Sequence, residues 1–430
     1  MAPVFAALRA SQPQDALAQF EQRGGNPHDL LFQLERGHLL HLAGRWAESN
    51  QAFERAEQIS DALYTRSLTR EAVALATTDL ELPYRGMPYE LQLIQYYRAL
   101  NYLALEAWDE ALVEARKANF ELEQYAEGKD DGALRQDAFL HYVTGLLYRA
   151  EGEWNDAIVA FRDAHSIYDS YREEYGVPPP VSLIRDYVGA ARRVGLDEEV
   201  GGLASAIGPG DDAGEGTAPN VVLFVESGFV PPRESVDITL PIYEDGGDDD
   251  PWRLAGRYRD RYGREIYDYP ASRRDLSHVL RFAFPRLAAF SPSVSAVRVV
   301  DAGGRERDGE LGLDLARVAR SEFDARLPRI LLRTVARAIV KEAARKKAEG
   351  KSEALGALIN LLGAASEQAD TRGWVLLPAR IDIVQLTLPP GRHGLQVQLI
   401  GSGDQSVESI PLEIEVPERG TRFAAVRSFR

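Results

Sequence analysis

A short pattern with a tryptophan at its third position occurs three times in the N-terminal part of the chain. The copies lie at residues 44–49, 106–111 and 152–157. Each is preceded by a small residue at a fixed offset and followed by small or aromatic residues at helical spacing on one face. This arrangement predicts two helices joined by a tight turn. One such pair cannot bury its own apolar face, so successive copies must stack.

The small residue before each turn is Gly37, Ala99 or Gly145, and it allows the second helix of each pair to approach closely. Together with the turn tryptophan, this is the signature of the tetratricopeptide repeat (TPR). An ordinary amphipathic helical bundle is the alternative, but three copies in phase favour the repeat. Residues 15–20 and 189–197 predict partial copies at the two ends of the array.

The chain changes character after a stretch rich in glycine and acidic residues. We predict a TPR-like helical repeat domain at residues 1–205, a linker at 206–219 and an α+β domain at 220–430. A helical insertion is predicted at about 314–368, with breaks near Pro328 and Gly350. The predicted fold class is a mainly α superhelix followed by an α+β domain with a small antiparallel sheet or sandwich.

The C-terminal part contains short apolar or alternating runs that are typical of strands. The main ones are residues 221–225, 235–240, 294–300, 379–388, 395–400, 407–416 and 422–426.

The composition excludes several classes of function. The chain has 430 residues, a formal net charge of −16 and no cysteine. The absence of cysteine excludes disulfides, thiolate metal sites and cysteine catalysis. The negative charge disfavours nonspecific binding of nucleic acid. No stretch reaches the roughly 18 apolar residues of a membrane span.

The sequence predicts no cofactor, no metal site and no catalytic centre. A phosphate-binding loop and a nucleophile elbow are both absent from it. His38 and His41 share a helix face, and we interpret them as packing residues rather than metal ligands. The alternative is an enzyme with its site in the C-terminal domain, using Asp370, Arg372 and His393.

Two groups of residues are candidates for binding a partner. In TPR arrays the first helices line a concave groove, where Asn and Arg side chains hold peptides. The groove candidates here are Arg98, Asn101, Arg116 and Asn119. The second group is a basic stripe that recurs every fourth residue along a predicted helix. It consists of Arg329, Arg333, Arg337, Lys341 and Arg345.

Three interpretations of the basic stripe stay open. A solvated helix face is the simplest. The others are docking onto an acidic surface, including this protein's own repeats, and contact with anionic lipid.

The chain also resembles a group of bacterial envelope proteins, often lipoproteins, that join an N-terminal TPR-like region to a C-terminal mixed domain. The residues that carry the resemblance are 34–37, 96–105, 114–119, 284–286, 367–372 and 388–393. Members are commonly encoded beside lipoproteins that resemble activators of peptidoglycan synthases. The resemblance implies a periplasmic or outer-membrane location, whereas Met1 as the true start implies a cytoplasmic one.

These observations predict a non-enzymatic scaffold for protein–protein interaction in envelope assembly. The helical half is expected to hold a protein partner. A structural subunit of a homo-oligomeric ring or filament is the first alternative, because stacked repeats and an exposed strand edge suit self-association.

Overall fold

The computed structural model describes residues 1–65, 82–127, 137–204, 219–243, 276–349 and 368–430. Within these ranges the helices are α1 Ala2–Arg9, α2 Pro13–Arg23, α3 Leu30–Leu42, α4 Trp46–Thr65, α5 Pro88–Ala104, α6 Trp108–Glu127, α7 Ala138–Glu151, α8 Trp154–Tyr175, α9 Val181–Arg193, α10 Asp197–Ala204 and α11 Leu315–Glu349.

The three tryptophan patterns form equivalent turns between paired helices. Each tryptophan is the first residue of a second helix, and the residue two positions before it has a positive φ: 73° at Gly44, 59° at Glu106 and 80° at Gly152. In each turn, the N–H just before the tryptophan donates to a carbonyl five residues earlier, at 2.9 Å. This is the left-handed C-terminal cap of the first helix. The predicted TPR-like turns are therefore confirmed.

The small residues of the pattern set the distance between paired helices. A Cβ added at Gly37 would lie 2.8 Å from Phe53, and one at Gly145 would lie 2.4 Å from Phe161. Both phenylalanines are fully buried on the second helix of the same pair. Glycine is thus required where the phenylalanine ring touches the first helix.

The predicted partial copies at the two ends also form helix pairs. The α1–α2 turn has Ser11 at φ 57°, and the α9–α10 turn has Gly195 at φ 80°. Both turns contain the same backbone hydrogen bond as the central copies. The N–H of Gln12 donates to the carbonyl of Ala7, and the N–H of Leu196 donates to the carbonyl of Ala191. In the described residues, the array therefore consists of five stacked helix pairs.

The strands in the described residues are β1 Val221–Ser227, β2 Arg233–Tyr243, β3 Leu276–Leu287, β4 Ala296–Asp301, β5 Glu306–Asp308, β6 Glu310–Leu313, β7 Arg380–Leu386, β8 Gly391–Ile400, β9 Ser406–Val416 and β10 Arg422–Arg427. They form an inner sheet in the order β10-β1-β7-β6, an outer sheet in the order β5-β4-β8-β9, and the antiparallel pair β2-β3. All pairings are antiparallel except β1 with β10, where Val222 lies opposite Phe423.

The inner sheet lies between the helical array and the outer sheet. Every residue of β1 is buried, as expected for a strand covered on both faces. Val222 and Phe224 belong to the core shared with the helices, whereas Val221, Leu223 and Val225 belong to the core shared with the outer sheet. The predicted fold class, a TPR-like array followed by an α+β part with small sheets, is therefore confirmed.

Helix α11 corrects one detail of the prediction. The expected break near Pro328 is absent, because Leu315–Glu349 is one continuous helix with Pro328 inside it. The loss of one backbone donor is tolerated at this position, where Pro328 itself is exposed. The predicted linker at 206–219 lies outside the described residues except for Pro219, and the domain boundaries stay a prediction.

Candidate interaction surfaces

The first helices of the array pack directly against the inner sheet. The ring of Phe224 on β1 lies 5.7 Å from Tyr96 on α5 and 5.9 Å from Phe139 on α7, between centroids. Phe423 on β10 lies 5.9 Å from the turn tryptophan Trp108. These edge-to-face contacts are favourable aromatic geometries. The face that a TPR array usually offers to a peptide here contacts the chain's own sheet.

Polar contacts accompany this aromatic packing. Gln385 of β7 donates to Asp186 Oδ2 at 2.7 Å and to Tyr142 Oη at 3.0 Å. Tyr168 donates its hydroxyl proton to the carbonyl of Gly312 at 2.6 Å. The side chains of Gln385, Tyr142 and Asp186 are buried, so these bonds satisfy groups that water does not reach.

A buried carboxylate also lies at this interface. Tyr97 donates to Glu226 Oε2 at 3.3 Å, and Arg427 Nε lies 3.7 Å from the same oxygen. Burial raises the pKa of Glu226, although the attraction of Arg427 opposes that shift. His38 lies 4.4 Å from the Tyr97 ring, between ring centroids. Burial, and then Arg427, holds the pKa of His38 well below 6.5, so this imidazole is neutral at neutral pH.

The predicted groove residue Arg98 is buried in an ionic cluster within the array. Its guanidinium contacts Glu57 at 2.5 Å and Glu114 at 2.8 Å. Lys117 Nζ lies 2.6 Å from Glu57 and completes the cluster. These pairs join α4, α5 and α6, so Arg98 helps to hold neighbouring helices together.

The predicted groove residue Asn101 is fully buried in a second network. Its amide donates to Ser49 Oγ at 2.9 Å and to Asn50 Oδ1 at 2.8 Å. Its own oxygen lies 2.7 Å from Nδ1 of His41. Asn101 therefore bonds three polar side chains of the preceding repeat.

The other two groove candidates lie on α6. Arg116 is half-exposed, and its guanidinium donates to Glu153 Oε2 at 2.9 Å and to Tyr148 Oη at 3.2 Å. The side chain of Asn119 lies outside the described part of the chain. The structure thus places Arg98 and Asn101 inside the array and Arg116 at its surface. Contact of these four residues with a partner stays a prediction.

A surface feature that the sequence analysis missed repeats across two units. Val113 and Val159 each follow the turn tryptophan by five positions and are 55% and 50% exposed. Arg116 and Arg162 each follow it by eight positions and are half-exposed. Each valine is three residues from its arginine, so the two are neighbours on the helix surface. Aligning the copies on their tryptophans would have shown the repetition, but exposure is not visible in the sequence.

The first half of the basic stripe lies on the exposed part of α11. Arg329 and Arg333 are exposed, and Arg337 is partly buried. Lys341 and Arg345 belong to the same helix, but their side chains lie outside the described residues. All five positions belong to one helix, and their role in binding stays a prediction.

The residues of the enzyme alternative lie on different elements. Asp370 and Arg372 form a two-pronged ion pair in the loop before β7, with both N–O distances 2.9 Å. The Arg372 guanidinium lies 5.6 Å from the Tyr84 ring centroid. His393 is on β8 of the outer sheet, where its Nε2 lies 2.7 Å from the carbonyl of Pro389.

Comparison with known proteins gives matches among solved structures alone. No protein-family profile matches the chain. No curated protein sequence matches it either. The solved chain of MamA from Desulfovibrio magneticus RS-1, which begins at its residue 41, is similar with 13% identity and a TM-score of 0.30, covering 47% of this chain and 88% of that chain.

Two further solved structures match at a similar level. BtubC from P. vanneervenii has 18% identity and a TM-score of 0.31, covering 49% of this chain and 75% of BtubC. The TPR-like repeats of a Podospora anserina kinesin light chain have 15% identity and a TM-score of 0.31, covering 47% of this chain and 88% of that protein. The TPR-like description of the array rests on its own turns and helix packing.

Among the helices in the described ranges, none has both the length and the apolar character needed to cross a membrane.

Proposed function

We propose that the protein is a non-enzymatic scaffold for protein–protein interaction in the assembly of the bacterial envelope. The observation that carries the proposal is the exposed valine–arginine pair at the same position of two successive repeats. The envelope location is supported by the sequence resemblance. Cell fractionation of the native gene product tests that location, and recovery in the cytoplasmic fraction alone would contradict it.

The partner-binding surface in this proposal is the outer side of α6 and α8, which we call the Val–Arg face. It consists of Val113, Arg116, Val159 and Arg162. The buried centres of protein interfaces are more apolar than the rest of the surface and are enriched in arginine. A partner with apolar and acidic side chains repeated at the same spacing would fit this face.

Both arginines of the Val–Arg face are already ordered by neighbouring groups. Arg162 NH2 lies 2.6 Å from Glu199, and its Nε donates to Tyr187 Oη at 3.4 Å. Arg116 has the corresponding pair of a carboxylate and a tyrosine. Side chains held in one geometry lose less conformational entropy when a partner binds. The face is thus suited to bind without large rearrangement.

A capture experiment tests the scaffold proposal. The full chain would be used as bait in an envelope extract, beside the double variant Val113→Asp/Val159→Asp and the control Val181→Asp, whose position lies outside both proposed surfaces. All three positions are exposed, so equal melting temperatures would show that the variants fold. We expect a protein that wild type and control retain and the double variant loses. With that protein purified, the double substitution should raise Kd at least about tenfold. Identical sets of bound proteins for all three baits would overturn the proposal.

Self-association is the alternative that the sequence suggested, and the edge strand β9 of the outer sheet argues against it. In the described residues, β9 is one of the two edge strands of the outer sheet, opposite β5, and hydrogen-bonds to β8. Its middle residue Pro411 lacks a backbone donor, and the exposed Glu413 and Glu415 repel a second copy, which makes edge pairing unfavourable. Light scattering after size-exclusion chromatography separates the two candidates, since a discrete large assembly of the purified chain would favour self-association.

The basic stripe of α11 provides a further surface in this proposal. Its charge is opposite to that of the chain as a whole, so it would face an anionic partner. This surface lies on a different helix from the Val–Arg face.

A further inference from the structure

The second half of α11 carries the most exposed large hydrophobic side chain of the described residues. Leu332 is 72% exposed, and Val335, three residues further along the helix, is 39% exposed. Before Pro328 the same helix buries Ala319, Glu322 and other side chains against the body of the protein. After Pro328 the helix therefore presents apolar side chains to the surroundings.

The same segment concentrates positive charge. Residues 329–347 contain seven basic residues and one acidic residue, a net charge of +6 in a chain whose net charge is −16. Arg329 and Arg333 are both exposed. At about 100° per residue, Leu332 lies about 60° from Arg329 in one direction around the helix and Arg333 lies about 40° from Arg329 in the other, so both arginines are on the same side of the leucine. The exposed Leu332 thus borders a strip of arginine side chains on the helix surface.

We propose that α11 docks on the surface of an anionic phospholipid bilayer, with Leu332 and Val335 entering the headgroup boundary. In this arrangement Arg329 and Arg333 lie at the level of the lipid phosphates. The inference rests on the proposed envelope location and names the anionic partner of the basic stripe.

Charge and apolar exposure together favour a bilayer as the occupant. An acidic protein surface would pair with the arginines but would not by itself need an exposed leucine beside them. An amphipathic helix with a basic polar face binds anionic bilayers by combining both kinds of contact. The negative charge on the rest of the chain is repelled by the same membrane, so contact would be confined to this helix.

Sedimentation with lipid vesicles tests the inference on the purified full chain. Vesicles of phosphatidylcholine alone would be compared with vesicles that also contain phosphatidylglycerol, at about 0.1 M and about 1 M NaCl. We expect the wild type to pellet with the phosphatidylglycerol vesicles at low salt and to be released at high salt. Leu332→Asp should lower the partition coefficient at least tenfold, and the uncharged Leu332→Ser should lower it severalfold.

The double variant Val113→Asp/Val159→Asp is the matched control and should pellet like wild type. Equal pelleting with neutral and anionic vesicles, or Leu332→Asp equal to wild type, would overturn the inference. If the wild type does not bind vesicles and Leu332→Asp loses a protein that wild type captures, the Leu332 side of α11 binds a protein and the inference is overturned. Because the vesicles contain no protein, the result is independent of whether the Val–Arg face binds a partner.

Discussion

At the scale of single residues, buried carboxylates are placed where three helices meet. Glu322 of α11 is buried with Glu90 of α5 and Asp137, which caps α7 by accepting the N–H groups of Phe139 and Leu140. Burial raises the pKa of Glu322 to about 8; Arg326 opposes the shift, while Glu90 and Asp137 add to it. Glu322 is therefore largely protonated in the folded protein at neutral pH.

This protonation predicts a pH dependence of stability. The unfolded chain releases the Glu322 proton near 4.5, whereas the folded protein holds it to about 8. Folding stability should therefore fall as pH rises between these values, by up to about 1.4 kcal/mol per pH unit from this group.

The substitution Glu322→Gln removes this titration and leaves an oxygen that accepts from Arg326. Urea unfolding of both proteins at pH 5 and pH 7.5 would measure the effect. We expect the free energy of unfolding of the variant, relative to that of wild type, to increase from pH 5 to pH 7.5. Parallel profiles of the two proteins across this range would contradict the argument.

At the scale of elements, the close contact of paired helices depends on glycine. Gly145 of α7 faces Phe161 of α8, whose ring leaves no space for a Cβ. Gly189 of α9 is also within a helix, but a Cβ there would have no heavy atom within 4 Å. The two glycines thus provide a matched test of the repeat packing.

Gly145→Ala should lower the free energy of unfolding by about 1–3 kcal/mol, because the phenylalanine or the helix must shift. Gly189→Ala should be neutral or raise it by up to about 1 kcal/mol through helix propensity. Denaturant unfolding of both variants measures the difference. Equal effects at the two positions would argue against the helix-pair geometry.

At the scale of the whole molecule, the helical array and the inner sheet share one hydrophobic core. Phe224 and Phe423 from the sheet pack with Tyr96, Phe139 and Trp108 from the array. The array therefore encloses part of its own chain, which leaves the outer faces of the helices for other molecules. A fragment ending near residue 204 would expose these aromatic side chains.

The shared core predicts cooperative unfolding of helices and sheet. Phe224→Ala should lower the free energy of unfolding by about 3–5 kcal/mol, the usual effect of emptying a large core site. Helical circular dichroism and tryptophan fluorescence should then shift together to one lower denaturant midpoint. Val181→Ala, at an exposed position, is the control and should have little effect. Two separate transitions in Phe224→Ala would show that the halves unfold independently.

Local features were predictable from the sequence because they depend on residues close together in the chain. The tryptophan turns, the small residues at the helix contacts and the partial end copies all follow from helical spacing over short segments. The strands from β7 to β10 also lie within a few residues of their predicted positions. The uninterrupted helix through Pro328 was missed, because the loss of one backbone donor does not end a helix at this exposed position.

By itself, the sequence determined the repeat type, the helical first half followed by a strand-rich second half, and the concentration of positive charge on α11. Only the tertiary structure decided that β1 and β10 cover the first helices, that Arg98 and Asn101 are buried, and that Leu332 is exposed. The physical reason is that the periodicity of a helix or strand specifies which of its sides is apolar. Which other element covers that side depends on contacts between segments that are distant in the chain. Tyr96 and Phe224 are in contact although they are far apart in the chain. No local sequence pattern indicates which apolar face will pack against which other face.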